Sequence, residues 1–121
     1  MALPSDDGAV LLLHNPRCSK SRAARALLEE RGVAFEERRY LERPLSREEL
    51  EDLADRLGVE PAAWTRQSED AFSAAGLTAD ASRDALLDAI ARHPILLERP
   101  IAVRGSRAVV GRPPERVLEL V

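Results

Sequence analysis

AVLLLHNPRCSKSRAARALLEERG, residues 9–32, is the stretch on which the fold turns. Residues 9–13 form an unbroken apolar run between Gly8 and Asn15-Pro16, the pattern of a central strand buried on both faces. From Ser19 to about Arg31 the spacing of Ala24, Leu27, Leu28 and Arg31 predicts a helix, and Gly32 supplies its stop. The following VAFEERRY, residues 33–40, carries more charge and reads as an edge strand. Strand, helix and strand in that order make a right-handed βαβ unit, so the first two strands are parallel.

Beyond this unit, SREELEDLADRLG opens with the capping box Ser46 to Glu49, repeats Leu50, Leu53, Ala54 and Leu57, and stops at Gly58. A short helical piece is expected at PAAW, ending near Arg66, followed by a weakly patterned stretch to Ala79. A further helix is expected from about Ser82 to Arg92, with Leu86, Leu87 and Ile90 inward, until His93-Pro94 breaks it. IAVR and RAVV flank Gly105-Ser106 as a hairpin. Pro114 starts a last helix whose Val117, Leu118 and Val121 face the sheet. The order βαβ, helical block, ββα describes one α/β domain over residues 1–121, with a helical insertion at about 42–96.

Composition narrows the chemistry. At 121 residues the chain can bury a core without disulfide or metal staples. A single cysteine excludes an internal disulfide, a thiolate zinc cluster and a CxxC dithiol, so redox chemistry at Cys18 needs an external thiol. MALPSDDG does not read as a signal peptide, and no run approaches the roughly 20 apolar residues of a membrane span, which makes the reducing cytoplasm the expected compartment. A net charge of −3 and 3% aromatic residues argue against a nucleic-acid partner. Every basic side chain except Lys20 is arginine, a rigid planar fork suited to oxyanions, although most of these arginines read equally as solvated helix faces.

Cys18 stands just outside the carboxyl end of a strand and at the start of a helix, where α/β folds place ligands. Free backbone N–H groups and the positive end of the helix dipole favour thiolate and bound anion alike, and Arg17, Lys20 and Arg22 lie nearby in sequence. A buried inert cysteine is the alternative reading, but the Pro-preceded loop and its cations favour a reactive thiol with a pKa in the roughly 3.5–7.5 range of such sites. Thiolate formation alone contributes little. Moving the pKa from about 8.5 to about 6 raises the thiolate fraction at neutral pH roughly 30-fold, and a Brønsted slope near 0.45 removes roughly 13-fold of nucleophilicity. The larger effect has to come from groups that neutralise an anionic substrate. Arg99 in ERPIAV, Arg112 in VVGRPPE and Arg66 in WTRQSED are candidates, each with a surface ion pair as the alternative.

HNPRCSKSR, YLERPLSREEL, TRQSED, HPILLERPIAV and VVGRPPERVLEL, in this order along residues 9–121, resemble the glutaredoxin-coupled arsenate reductases, the ArsC family of the thioredoxin superfamily. The resemblance implies a thioredoxin-like fold with a mixed four-stranded sheet. It implies Cys18 as nucleophile toward arsenate, Arg66, Arg99 and Arg112 around the oxyanion, supporting roles for His14, Asn15 and Ser21, and a cis peptide before Pro100. For His14, a residue that merely caps the strand end is as good a reading as one that tunes the thiol. Arg17 and Ser19-Lys20 depart from the small residue and the Gly-Thr pair common in that family.

The implied chemistry uses no bound cofactor. Cys18 attacks arsenate, glutathione or another small thiol attacks the adduct, and arsenite leaves, with glutathione or a glutaredoxin clearing the mixed disulfide; a monomer is expected. A Cys-x5-Arg phosphatase loop is absent, the nearest such residue being Arg22. Two rivals are a glutathione-dependent thiol/disulfide reductase of the same fold and an Spx-like regulator that binds RNA polymerase. Arg112 favours the reductase of arsenate over both.

Overall fold

Alternation along the first strand divides the interior in two. In the computed structural model, which describes residue 3 and residues 8–121, β1 (Val10–His14) sends Val10 and Leu12 to one side and Leu11 and Leu13 to the other. The first side packs on Ala24 and Leu28 of α1 (Ser19–Glu30) and on Val117 and Leu120 near the end of the chain. The second side meets the larger cluster, which includes Leu50 and Leu53 of α2 (Arg47–Leu57), Leu86, Leu87 and Ile90 of α4 (Arg83–Arg92), and Trp64. Between α2 and α4 lie a 3₁₀ turn, Pro61–Trp64, and the short α3 (Asp70–Ala74) within the weakly patterned stretch.

The sheet order is β2-β1-β3-β4. β2 (Phe35–Arg39) runs parallel to β1 at one edge, while β3 (Ile101–Arg104) and β4 (Arg107–Val110) are antiparallel to their neighbours. This is the expected mixed four-stranded α/β arrangement. His14 extends the first strand because its backbone pairs with Arg39, and the edge strand is shorter than residues 33–40. The Ser46 capping box is formed in full: Ser46 Oγ accepts from the Glu49 amide at 3.1 Å, and a Glu49 carboxylate oxygen accepts from the Ser46 amide at 3.0 Å. Gly105, at φ +59°, provides the left-handed turn between β3 and β4 that a side chain would resist.

The final helix differs from expectation. Residues Pro114–Leu120 wind as a 3₁₀ helix, and Val117 and Leu120 are buried while Val121 is exposed. A three-residue turn aligns Pro114, Val117 and Leu120 on one side, whereas an α-helical turn would have turned Leu118 and Val121 inward with Val117.

Candidate active site

The loop between β1 and α1 is closed by bonds among its own residues. Ser21, fully buried on the first turn of α1, offers its hydroxyl to two partners: it accepts from the Asn15 amide at 3.0 Å and pairs with His14 Nδ1 at 2.7 Å. Asn15 Oδ1 accepts from the Arg17 amide at 3.0 Å, an Asx turn, and the Cys18 amide donates to the Asn15 carbonyl at 3.0 Å. Arg22 donates to the Pro16 carbonyl at 2.9 Å, so its charge serves the loop backbone. His14 is buried, and burial, followed by Arg25, Arg39 and Arg22, outweighs Glu37 and holds its pKa below the usual imidazole value. A neutral ring bonded to Ser21 ties strand end to helix start.

Cys18 is the N-cap residue of α1 in an extended conformation, partly open to solvent. Burial pushes the thiol up, but the Ser21 and Lys20 amides and the Arg99 guanidinium prevail and hold it below the ordinary thiol value. No cap hydrogen bond of good geometry closes between Sγ and these amides; they act as aligned dipoles near the sulfur. The charge acting on the thiol therefore comes chiefly from Arg99, remote in sequence, rather than from Arg17 and Lys20, which are exposed.

Three distant segments bring the arginines together. Residues 64–66 and 96–98 run antiparallel: the Arg66 amide donates to the Leu96 carbonyl at 2.7 Å, the Glu98 amide donates to the Trp64 carbonyl at 3.0 Å, and Thr65 bridges Leu97. The Arg99–Pro100 peptide is cis, as the resemblance implied, and so is Arg112–Pro113, which nothing in the sequence singled out. The Gly111 amide donates to the Pro100 carbonyl at 2.8 Å. A Cβ on Gly111 would lie 2.7 Å from Pro100 Cγ and 3.0 Å from Val117 Cγ1, so glycine permits this approach by its size. The result sets Arg112 beside Cys18, with Nη2 3.9 Å from Sγ and Nε donating to the Arg99 carbonyl at 2.9 Å.

Carboxylates also enter the cluster, and sequence reasoning passed over them. Glu98 Oε1 accepts from Arg66 Nη1 at 3.0 Å and from the Arg99 amide at 3.1 Å, and lies 3.1 Å from Arg112 Nε. Glu69 Oε2 accepts from Arg66 Nε at 3.0 Å. Burial lowers the Arg66 pKa, but these two carboxylates prevail and raise it. The available signal was adjacency, since Glu98 precedes Arg99 and Glu69 follows Arg66 by three residues. Tyr40 was missed as well. It follows the β1/β2 pair His14–Arg39 by one residue, its side chain belongs to the larger cluster, and its buried hydroxyl has no hydrogen-bond partner. Burial, and next to it the Cys18 charge, push its pKa up to about 12 against the influence of Arg99, Asn15 and Arg66, so the phenol stays neutral. Arg99 Nε is likewise buried and unpartnered.

Chemically, the arrangement offers a thiol biased toward thiolate, helix amides, and the Arg99 and Arg112 guanidiniums at the sulfur, with Arg66 joined to them through Glu98. Residues 13–120 match the model of the ArsC family. The chain is 48% identical over 110 residues to an arsenate reductase of Neisseria meningitidis serogroup B, spanning 89% of this chain and 94% of that protein. It is 39% identical over 115 residues to an arsenate reductase of Haemophilus influenzae, spanning 93% and 99%. An arsenate reductase from Vibrio cholerae has a similar structure, with a TM-score of 0.89, 45% identity, and coverage of 96% of this chain and all of that one.

Proposed function

Because this chain belongs to the ArsC family, we propose that it is an arsenate reductase in which Cys18 is the nucleophile and Arg66, Arg99 and Arg112 bind the oxyanion. The observation that carries this reading is the 3.9 Å approach of Arg112 to Cys18 Sγ, at a thiol already held below its ordinary pKa. The Cys18 thiolate attacks arsenic, an As–O bond breaks, and the departing oxygen leaves as water, so the adduct is a Cys18–S–As(V) ester. A glutathione thiolate then attacks the Cys18 sulfur. The S–S bond forms, the S–As bond breaks, and its electron pair reduces arsenic to As(III), which leaves as arsenite. A second glutathione, or a glutaredoxin, reduces the mixed disulfide and restores Cys18.

His14, Asn15 and Ser21 support the loop, and Pro100 shapes the segment that carries Arg99. No resident cofactor enters the scheme. We place the activity in the cytoplasm, where glutathione is reduced, in a monomer whose single domain includes the helices at about 42–96. Position 112 supports this reading over a thiol/disulfide reductase or an Spx-like regulator, because a neutral disulfide or a protein surface brings no oxyanion charge for a second guanidinium beside the sulfur to neutralise.

The test is arsenite release with glutathione and glutaredoxin. Intact mass after a single turnover is expected to show one glutathione on Cys18. Repeated turnover without added thiol, or undiminished turnover by Cys18→Ser, would end the proposal.

A further inference from the structure

One carboxylate oxygen meets all three arginine-bearing segments. Glu98 Oε1 takes Arg66 Nη1 and the Arg99 amide, and Arg112 Nε stands 3.1 Å away. Glu69 takes Arg66 Nε and lies 4.0 Å from Arg99 Nη1. Two carboxylates thus offset most of the charge of three guanidiniums, and the Cys18 thiolate offsets the remainder. A site selected only for tight capture of an anion would not be charge-balanced before the anion arrives.

That balance has a chemical use. Phosphate and arsenate share shape and charge, but a thiol cannot reduce phosphorus, so a cage that held tetrahedral dianions tightly would stand filled with phosphate. We propose that Glu98 is a positioning residue that also limits affinity: its carboxylate aligns Arg66 and Arg112 and, as a fixed counter-charge, holds back affinity for tetrahedral dianions so that phosphate does not saturate the site. Discrimination then falls to the covalent step at Cys18. This inference rests on the oxyanion reading of the site.

A unit charge about 5 Å from a bound dianion changes its affinity on the order of 10⁵-fold at an effective dielectric near 20, and on the order of tenfold at the dielectric of water. Glu98 is partly open to water, which screens it, so about a tenfold effect is expected. The experiment is calorimetric titration of the full-length protein with inorganic phosphate, beside arsenate kinetics. Glu98→Gln keeps the oxygen acceptor and removes the charge. It should bind phosphate about tenfold tighter and lower the KM for arsenate without raising kcat. Glu98→Asp keeps the charge but withdraws the oxygen; it should bind phosphate no tighter than wild type and lose kcat. Phosphate binding by Glu98→Gln no tighter than by wild type, or equal tightening by Glu98→Asp, overturns the role of Glu98 alone. Absence of phosphate binding in both wild type and Glu98→Gln overturns the oxyanion reading and this inference with it.

Discussion

The cysteine loop is shaped by side-chain hydrogen bonds that reach no more than seven positions along the chain, whereas the arginines opposite it are placed by contacts across 13, 32 and 94 positions. The two halves of the site therefore depend on the fold differently. The loop and its helix amides come with the βαβ unit itself. The Arg99 and Arg112 guanidiniums reach the sulfur only when the segments at 98–100 and 111–113 have packed against one another, and Arg66 joins them through Glu98. Substitution of Arg112, in the second half, should damage oxyanion chemistry while leaving the thiol activated, because Arg99 and the helix amides still act on it.

The largest effect is expected at Arg112. Its replacement by alanine should lower kcat/KM for arsenate by about 10²- to 10³-fold, the scale for one preorganised oxyanion contact. Lysine should recover only part, because a point charge replaces a planar fork. Alkylation of Cys18 as a function of pH should still titrate below the ordinary thiol range in both variants, since the Ser21 and Lys20 amides and Arg99 remain. A thiol pKa returned to its ordinary value would show that the two halves are not separable. Reduction of a small unrelated disulfide is the control; equal loss of both activities would indicate damaged structure instead.

Gly111→Ala attacks the same half through packing. The new methyl would meet Pro100 Cγ at 2.7 Å and Val117 Cγ1 at 3.0 Å, and such overpacking costs about 1–3 kcal/mol. Denaturant unfolding should show that loss, with arsenate turnover falling further as Arg99 and Arg112 move apart. Stability equal to wild type would mean that the contact between Pro100 and Gly111 yields easily.

The loop half is probed by Ser21→Ala, which removes the partner of both the Asn15 amide and His14 Nδ1 in a buried setting. An expected loss of about 1–3 kcal/mol follows from leaving buried polar groups unpaired. The pH dependence of stability reports on the burial of the same histidine. Burial holds the folded pKa of His14 below the ordinary imidazole value of about 6.5, so the unfolded chain binds its proton more readily, and stability present above about 6.5 is lost as pH falls below it. Glu37, held down by Arg39 and Arg25, and Glu49, held down against its burial by Arg38 and Ser46, lose their contributions only below the ordinary carboxylate value of about 4.5. His14→Asn should flatten the upper window and leave the lower one. An unchanged upper window would assign it elsewhere.

Legibility follows the same division. Strand, loop and helix from Val10 to Glu30 could be read because apolar period, Asn-Pro break and helix start are local signals, and Cys18 was located by them alone. The Ser46 capping box and the Gly105 turn were legible for the same reason. Arg66, Arg99 and Arg112 could be named as candidates but told apart from surface ion pairs only by resemblance, and their distances from Cys18 in sequence hide which of them touches it. Glu98 and Glu69 looked like ordinary surface acids, because a carboxylate's partners are chosen by tertiary packing. The 3₁₀ winding of Pro114–Leu120 escaped because Val117, Leu118 and Val121 satisfy an α-helical period as well as Pro114, Val117 and Leu120 satisfy a three-residue one.

Tyr40 is where the smallest effect is expected and where the division between the halves is sharpest. Its ring is fully buried, its hydroxyl has no partner, and Cys18, Asn15, Arg99 and Arg66 all act on it, so it sits between loop and arginines. A desolvated hydroxyl without a hydrogen bond is a cost to the fold, and deleting it while keeping the ring is nearly neutral or stabilising. Tyr40→Phe should therefore leave the unfolding midpoint unchanged or slightly raised. If the hydroxyl stays idle throughout the reaction, arsenate kinetics will be unchanged within about twofold, a change of only about 0.4 kcal/mol. A tenfold fall in kcat/KM with the midpoint preserved would give the opposite result: the hydroxyl gains its partner when the anion binds, and the loop and the arginine half meet at Tyr40.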